Sequence, residues 1–422
     1  MAVTTPRTSR AKTERQWLGQ WDSAVTSYYT LLGVTSLLLV FGLVMVLSSS
    51  TVTSIAVGQS PYTVFIRQAR FLLIGLPFML VAMRLPVRWY KRLAWPALFF
   101  AAALQCLTFV PRFALSQGGN TGWIGYGSFT MQPAEVGKVA LAIWLGAVLG
   151  RKQKLLGKWS HTMIPAVPGA VLILGLVLLG HDLGTAIILA FLVLGALWVA
   201  GAPARLLTLG SGIAAAIVVY VFIIGQGTGN RMARIMATFD PHCDVASVCY
   251  QSQHGLFALG TGGIFGVGLG ASREKWKFLP EAHNDFIFAV IGEELGLLGT
   301  LMVLGLFVVL GIAMTRVIRR HPDPFVKITT AAISCWIVGQ AFVNIGVVIG
   351  VLPVIGVPLP LVSAGGSALV TTMAALGVVI SFARSEPGAA EALAARGSVV
   401  RRSLSVLGSA RRAGGRRGGG RR

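Results

Sequence analysis

The sequence predicts an all-α polytopic integral membrane protein of about ten transmembrane helices. Three observations carry that reading. Hydrophobic residues make up 55% of the 422 residues and charged residues only 12%, with a mean hydropathy of +0.74. Several apolar runs reach the ~20 residues a helix needs to cross a bilayer. The basic residues fall in alternate loops, the pattern of a chain that threads back and forth through a membrane. Lys and Arg number 36 against 14 Asp and Glu, a net charge of +22. Much of that excess lies in short loops and the last stretch of chain, which points to topology and anionic lipid and away from nucleic acid.

Residues 1–28 are polar, carry Arg7, Arg10, Lys12 and Arg15, and read as a disordered cytoplasmic tail with no cleavable leader. Apolar runs then place spans near 31–47, 71–83 and 95–110. Pro133 suits the first turn of the fourth span, where its missing N–H costs little. Glu135 and Lys138 follow, three apart and so neighbours on that helix. A fifth span near 163–179 leads into G-H-D-L-G-T, which sets His181 and Asp182 at a tight turn before a sixth span near 186–199. The seventh span lies near 206–224, the eighth near 286–317, the ninth near 328–351 and the tenth near 361–382. A long Gly-rich loop, about 225–284, joins the seventh and eighth, and loops of this length in compact proteins are usually functional. Residues 29–384 thus form one membrane domain. The Arg/Gly-rich stretch 385–422 is a second disordered tail, suited to anionic lipid or an acidic protein.

The basic connections follow the second, fourth, sixth and eighth spans and include both tails, so the positive-inside rule puts both termini in the cytoplasm. The 225–284 loop, Glu135, Lys138, Asp182 and P-L-P-L-V-S-A-G-G-S then converge on the outer face.

Chemistry concentrates between Arg273 and Gly299. Lys275, Lys277, Glu281, His283, Asp285, Glu293 and Glu294 crowd into a chain that is otherwise nearly charge-free, and ionisable groups at a membrane edge are costly enough to imply a role. Asn284-Asp285 also stands where a helix begins, so Asp285 reads equally as an N-cap. Glu293 and Glu294 lie about 12–14 Å further along a continuous helix and read as packing or switch groups. Cys243 and Cys249 lack the spacing of a zinc site and sit in the exported loop, which favours a short-loop disulfide over free thiols.

L-P-E-A-H-N-D-F-I-F-A-V-I-G-E-E-L-G and P-L-P-L-V-S-A-G-G-S, with M-Q-P-A-E-V-G-K and R-M-A-R-I-M-A-T-F-D-P in support, resemble the SEDS family (shape, elongation, division and sporulation). The resemblance covers about 31–384 and favours the division branch over the elongation branch. It departs from the family where Gly122, rather than Arg, precedes Trp123, at Gly180-His181, and at Ala364 and Ala368 in the last motif.

The resemblance implies a SEDS-type fold and a peptidoglycan glycosyltransferase that polymerises lipid II, the undecaprenyl-diphosphate-linked disaccharide pentapeptide, during septal wall synthesis. An α-diphosphate donor and a β-1,4 product require inversion, hence one base and no enzyme nucleophile. Asp285 falls on the family's catalytic acidic residue. Lys138, Arg231, Arg234 and Lys275 are the candidates for the departing diphosphate, with Glu135, Glu281, Ser363 and Ser367 in support. A divalent cation, Mg or Mn, held by Glu135 and Asp285, is a further expectation, without any organic cofactor. The implied partners are a class B penicillin-binding protein and other division proteins. A lipid II flippase is the competing reading, since buried charge suits a carrier too; clustering of the charge at one face favours the polymerase.

Overall fold

The computed structural model describes residues 25–117, 120–126, 129–155, 159–224, 249–276, 278–389 and 391–393. Its long helices follow the apolar runs. They are α1 (Thr26–Ala56), α2 (Thr63–Arg84), α3 (Val87–Cys106), α4 (Pro133–Arg151), α5 (Trp159–Leu179), α6 (Leu183–Ala200), α7 (Ala204–Ile224), α9 (Ile287–Arg320), α10 (Pro324–Val348) and α11 (Gly366–Arg384). Among the described residues, eight are long and apolar enough to cross a membrane. The 21-residue α5 and α7 occupy the places of the fifth and seventh expected spans. The chain is a multi-pass membrane protein.

α4 and α10 form the centre. Of the eight, α4 is the most deeply buried and α2 the least. α10 packs on α4, α6 and α9, while α11 packs on α2 and α9 on α1. Trp144, Trp336, Phe286, Phe307, Phe325 and Phe382 are fully buried among them. Pro133 takes the first turn of α4.

Three local structures differ from the sequence reading. The loop after α3 forms an antiparallel sheet, β1 (Ala114–Gln117), β2 (Asn120–Tyr126) and β3 (Phe129–Met131), in the order β1-β2-β3. Its aromatic and β-branched residues pair across the strands, with Leu115 opposite Trp123 and Ile124 opposite Met131. The expected structureless loop before Asp285 contains a 13-residue helix, α8 (Tyr250–Gly262), packed on α9. The last helix starts at Gly366 instead of near Leu361, because 361–365 form a turn in which Leu361 itself is left-handed (φ 65°).

α9 breaks near one end. Gly296 has φ 67° and ψ −163°, a region that essentially only glycine occupies. The carbonyls freed at the break are taken by the loop after α8: Val267 N–H donates to Glu293 O at 2.9 Å and Gly268 N–H to Glu294 O at 3.0 Å. A Cβ at Gly296 would stand 2.4 Å from the Gly266 nitrogen. Gly296→Ala is therefore expected to cost at least about 1–3 kcal/mol, read as a lower thermal unfolding midpoint in detergent. An unchanged midpoint would contradict this account of the break.

Contacts sort the loops into two ends. At the basic end, Lys91 Nζ meets Asp323 Oδ2 at 2.6 Å and His321 Nε2 lies 3.2 Å from Ser385 Oγ. The other end gathers β1–β3, the turn before α6, the approach to α9 and the turn before α11.

Candidate active site

Asp285 lies half-buried just before α9. It is not the helix N-cap: α9 begins at Ile287, and the capping position is Phe286, which makes no side-chain cap bond. The backbone around Asp285 is instead gripped from outside. The carbonyl of His283 accepts the Ala364 N–H at 2.9 Å. That of Asn284 accepts the Ser363 hydroxyl at 2.7 Å, and that of Asp285 accepts Asn344 Nδ2 at 2.7 Å. Two elements distant in sequence, α10 and the turn before α11, thus fix three successive residues. A Cβ at Gly356 (φ 70°) would lie 3.5 Å from Asp285 Oδ2. The Ala364 contact uses only its backbone N–H.

The grip extends into a polar network. Asn344 Nδ2 also donates to Val357 O at 2.8 Å, and Gln340 Nε2 to Pro358 O at 2.8 Å. Gln340 Oε1 accepts from Lys138 Nζ at 3.1 Å and from Trp336 Nε1 at 3.0 Å. Lys138 Nζ is paired with Glu135 Oε1 at 2.8 Å and sits 4.7 Å from the Trp336 ring centroid. Ser367 Oγ accepts the Gln132 N–H at 3.2 Å. Asp182 caps α6 through Thr185 N–H at 3.0 Å and accepts Gln132 Nε2 at 2.6 Å. Gly122 lies beside Asp182, where an added Cβ would stand 3.4 Å from Asp182 Oδ2. Sequence reasoning assigned no role to Gln132, Gln340 or Asn344. The last two were legible as amides four apart in an apolar helix, where polar groups are expensive.

Lys275 belongs to a second cluster. Its Nζ lies 2.8 Å from Glu294 Oε1 and 2.8 Å from Gly270 O, and Ser48 Oγ of α1 donates to Glu294 Oε2 at 2.6 Å. Glu293 accepts Ser272 Oγ at 2.5 Å and the Arg273 N–H at 2.8 Å. Both carboxylates and the ammonium are buried. Glu281 is exposed and accepts Asn284 Nδ2 at 2.5 Å. Burial pushes His283 below the usual imidazole value, against the opposing pull of Glu281.

Arg231, Arg234 and Cys243 lie outside the described residues. Cys249 is disulfide-bonded, and Cys106 and Cys335 are free. Among the described residues no three His, Cys, Asp or Glu side chains come together as ligands, and Glu135 faces an ammonium.

Backbone strain gathers at this end. The non-glycine residues with positive φ are His181, Glu281 and Leu361 among the described residues. They adjoin Asp182, the Asn284-Asp285 pair and Ser363. Such residues cost of order 1–3 kcal/mol each and cluster at functional sites.

The family model for cell cycle proteins, the FtsW/RodA/SpoVE family, matches residues 29–387. The chain is 40% identical over 403 residues to the probable peptidoglycan glycosyltransferase FtsW of Mycobacterium tuberculosis, covering 95% of this chain and 76% of that protein. It is 34% identical over 341 residues to the protein of the same name from Geobacter metallireducens, covering 81% and 90%. Among solved structures it is similar to a chain from work on the structural coordination of polymerization and crosslinking by a peptidoglycan synthase complex (TM-score 0.67, 25% identity, 85% of this chain and 98% of that one). It is also similar to the rod shape determining protein RodA of Thermus thermophilus (TM-score 0.63, 25% identity, 85% and 97%). The chain belongs to the FtsW/RodA/SpoVE family of cell cycle proteins, the SEDS family, and the two relatives above are named FtsW.

Proposed function

We propose that this chain is a peptidoglycan glycosyltransferase that polymerises lipid II at the outer face of the cytoplasmic membrane during septal wall synthesis. The observation that carries the reading is the grip on residues 283–285 by Ala364, Ser363 and Asn344. It holds one half-buried carboxylate at the end of the bundle where the polar network converges.

In this reading the acceptor sugar's 4-OH attacks the anomeric carbon of the donor from the face opposite the diphosphate. The O–H proton passes to an Asp285 carboxylate oxygen, the new C–O bond forms, and the anomeric C–O bond to the diphosphate breaks. Configuration inverts in a single displacement, with no glycosyl-enzyme intermediate. Glu135 and Lys138 neutralise each other in their buried pair and support the network through Gln340, and Ser363 and Glu281 hold Asn284 beside Asp285. The chain makes glycan without crosslinking it, so a class B penicillin-binding protein, a transpeptidase, is its partner in the membrane.

Two experiments test this. Purified chain incubated with lipid II, with and without such a partner, is expected to form glycan strands; lipid II left intact under both conditions would remove the assignment. Reporter fusions after Lys158 and Arg320 are expected to read cytoplasmic and one within 255–265 external. An external signal at Lys158 would reverse the orientation and take the site to the wrong side.

A further inference from the structure

Among the described residues, the lysines and histidine of the site leave one requirement unmet. The departing polyprenyl diphosphate carries at least two negative charges, and its stabilisation needs cations not already neutralised. Lys138 and Lys275 each face a carboxylate at 2.8 Å and are almost fully buried. Turning either ammonium to a new anion would strip a buried Glu of its partner, which is strongly unfavourable. His283 is held below the usual imidazole value by burial.

α2 supplies cations of a different kind. Arg67 and Arg70 are exposed, one helical turn apart, and neither forms an ion pair among the described residues. Arg67 is also fastened to the site's own frame on both sides. Its Nη2 donates to Thr130 Oγ1 on β3 at 3.3 Å, two residues before Gln132. The adjacent Gln68 is buried with both amide atoms used: Nε2 donates to Ser363 O at 3.1 Å and Oε1 accepts the Gly365 N–H at 3.2 Å. Ser363 in turn holds Asn284, next to Asp285. A guanidinium presents a planar fork of donors that matches two phosphate oxygens at once.

We propose that Arg67, with Arg70, binds the diphosphate of the polyprenyl-linked substrate at this end of α2. The assignment rests on the glycosyltransferase reading above. The same chemistry would also suit the phosphate of a bulk anionic phospholipid, and the test separates the two.

The test uses the full chain in phosphatidylcholine nanodiscs, with undecaprenyl diphosphate as probe. Arg67→Gln is expected to weaken probe binding by about 10–100-fold, the range for one charge-assisted hydrogen-bonded contact. It should raise KM for lipid II by a similar factor with a smaller change in kcat. Arg70→Gln and Arg67→Lys should lose less, and Arg67→Lys, which keeps the charge and stem, carries the test if Arg67→Gln does not fold. Asp285→Asn should bind the probe like wild type. Unchanged probe Kd in either Arg67 variant would overturn the proposal. So would displacement of the probe from wild type by added phosphatidylglycerol, which would assign the arginines to bulk lipid. A chain that makes no glycan yet binds the probe through Arg67 would sink the glycosyltransferase reading and leave the diphosphate site standing.

Discussion

Lys275→Met lowers the stability of the folded chain by about 3–5 kcal/mol, the cost of leaving a buried charge without its partner. The Lys275 ammonium donates to Glu294 Oε1, Gly270 O and Ser48 O at 2.8, 2.8 and 3.3 Å. It therefore ties α1, the loop after α8 and the break in α9 together. Its side chain is 3% exposed and that of Glu294 0%, so water cannot replace the lost contact. The pair as a whole is worth far less than either half alone, because both charges were desolvated to form it. Adding Glu294→Gln to Lys275→Met removes the orphaned charge, and the Ser48 hydroxyl still has an acceptor. The double variant should therefore melt clearly above the single one. Thermal unfolding in detergent measures both. A single variant that melts like wild type, or a double variant no better than the single, would contradict this view of the cluster.

The spans were legible because apolarity over about 20 residues has one solution in a bilayer. Pro133 was legible for a local reason, a first-turn proline, and Asp182 as part of the tight turn before the sixth span; its capping bond came only with the structure. The Glu135–Lys138 pair could be read from its spacing. What the sequence hid is tertiary. The strands of 114–131 are short and Gly-interrupted, and only their pairing makes them strands. Asp285 reads as a cap because the helix start can be placed only to within a residue or two, and Phe286 holds that position. Lys275 reads as a free cation until Glu294 and Ser48, 19 and 227 positions away, close on it. Arg67 has the opposite history. It is one of two basic residues at the edge of a span, and its standing comes from Thr130 and from the fixing of Gln68 by Ser363 and Gly365.

Asp285→Asn should abolish most of the chemistry and little else. Asparagine keeps the size of the side chain. The grip on this segment acts through backbone carbonyls of residues 283–285, so the substitution leaves its hydrogen bonds in place, along with the fold and the Lys275–Glu294 cluster. What it loses is an oxygen able to take a proton at neutral pH. Loss of a general base typically costs 10²–10⁴-fold, so activity should fall at least ~100-fold with membrane insertion, thermal midpoint and partner binding unchanged. The decisive measurement is glycan polymer formed from lipid II by wild type and Asp285→Asn, purified with the transpeptidase partner at matched protein level. The account predicts long strands from wild type and a loss of at least ~100-fold in the variant. Polymerisation by Asp285→Asn close to the wild-type rate would contradict the assignment of Asp285 as the base.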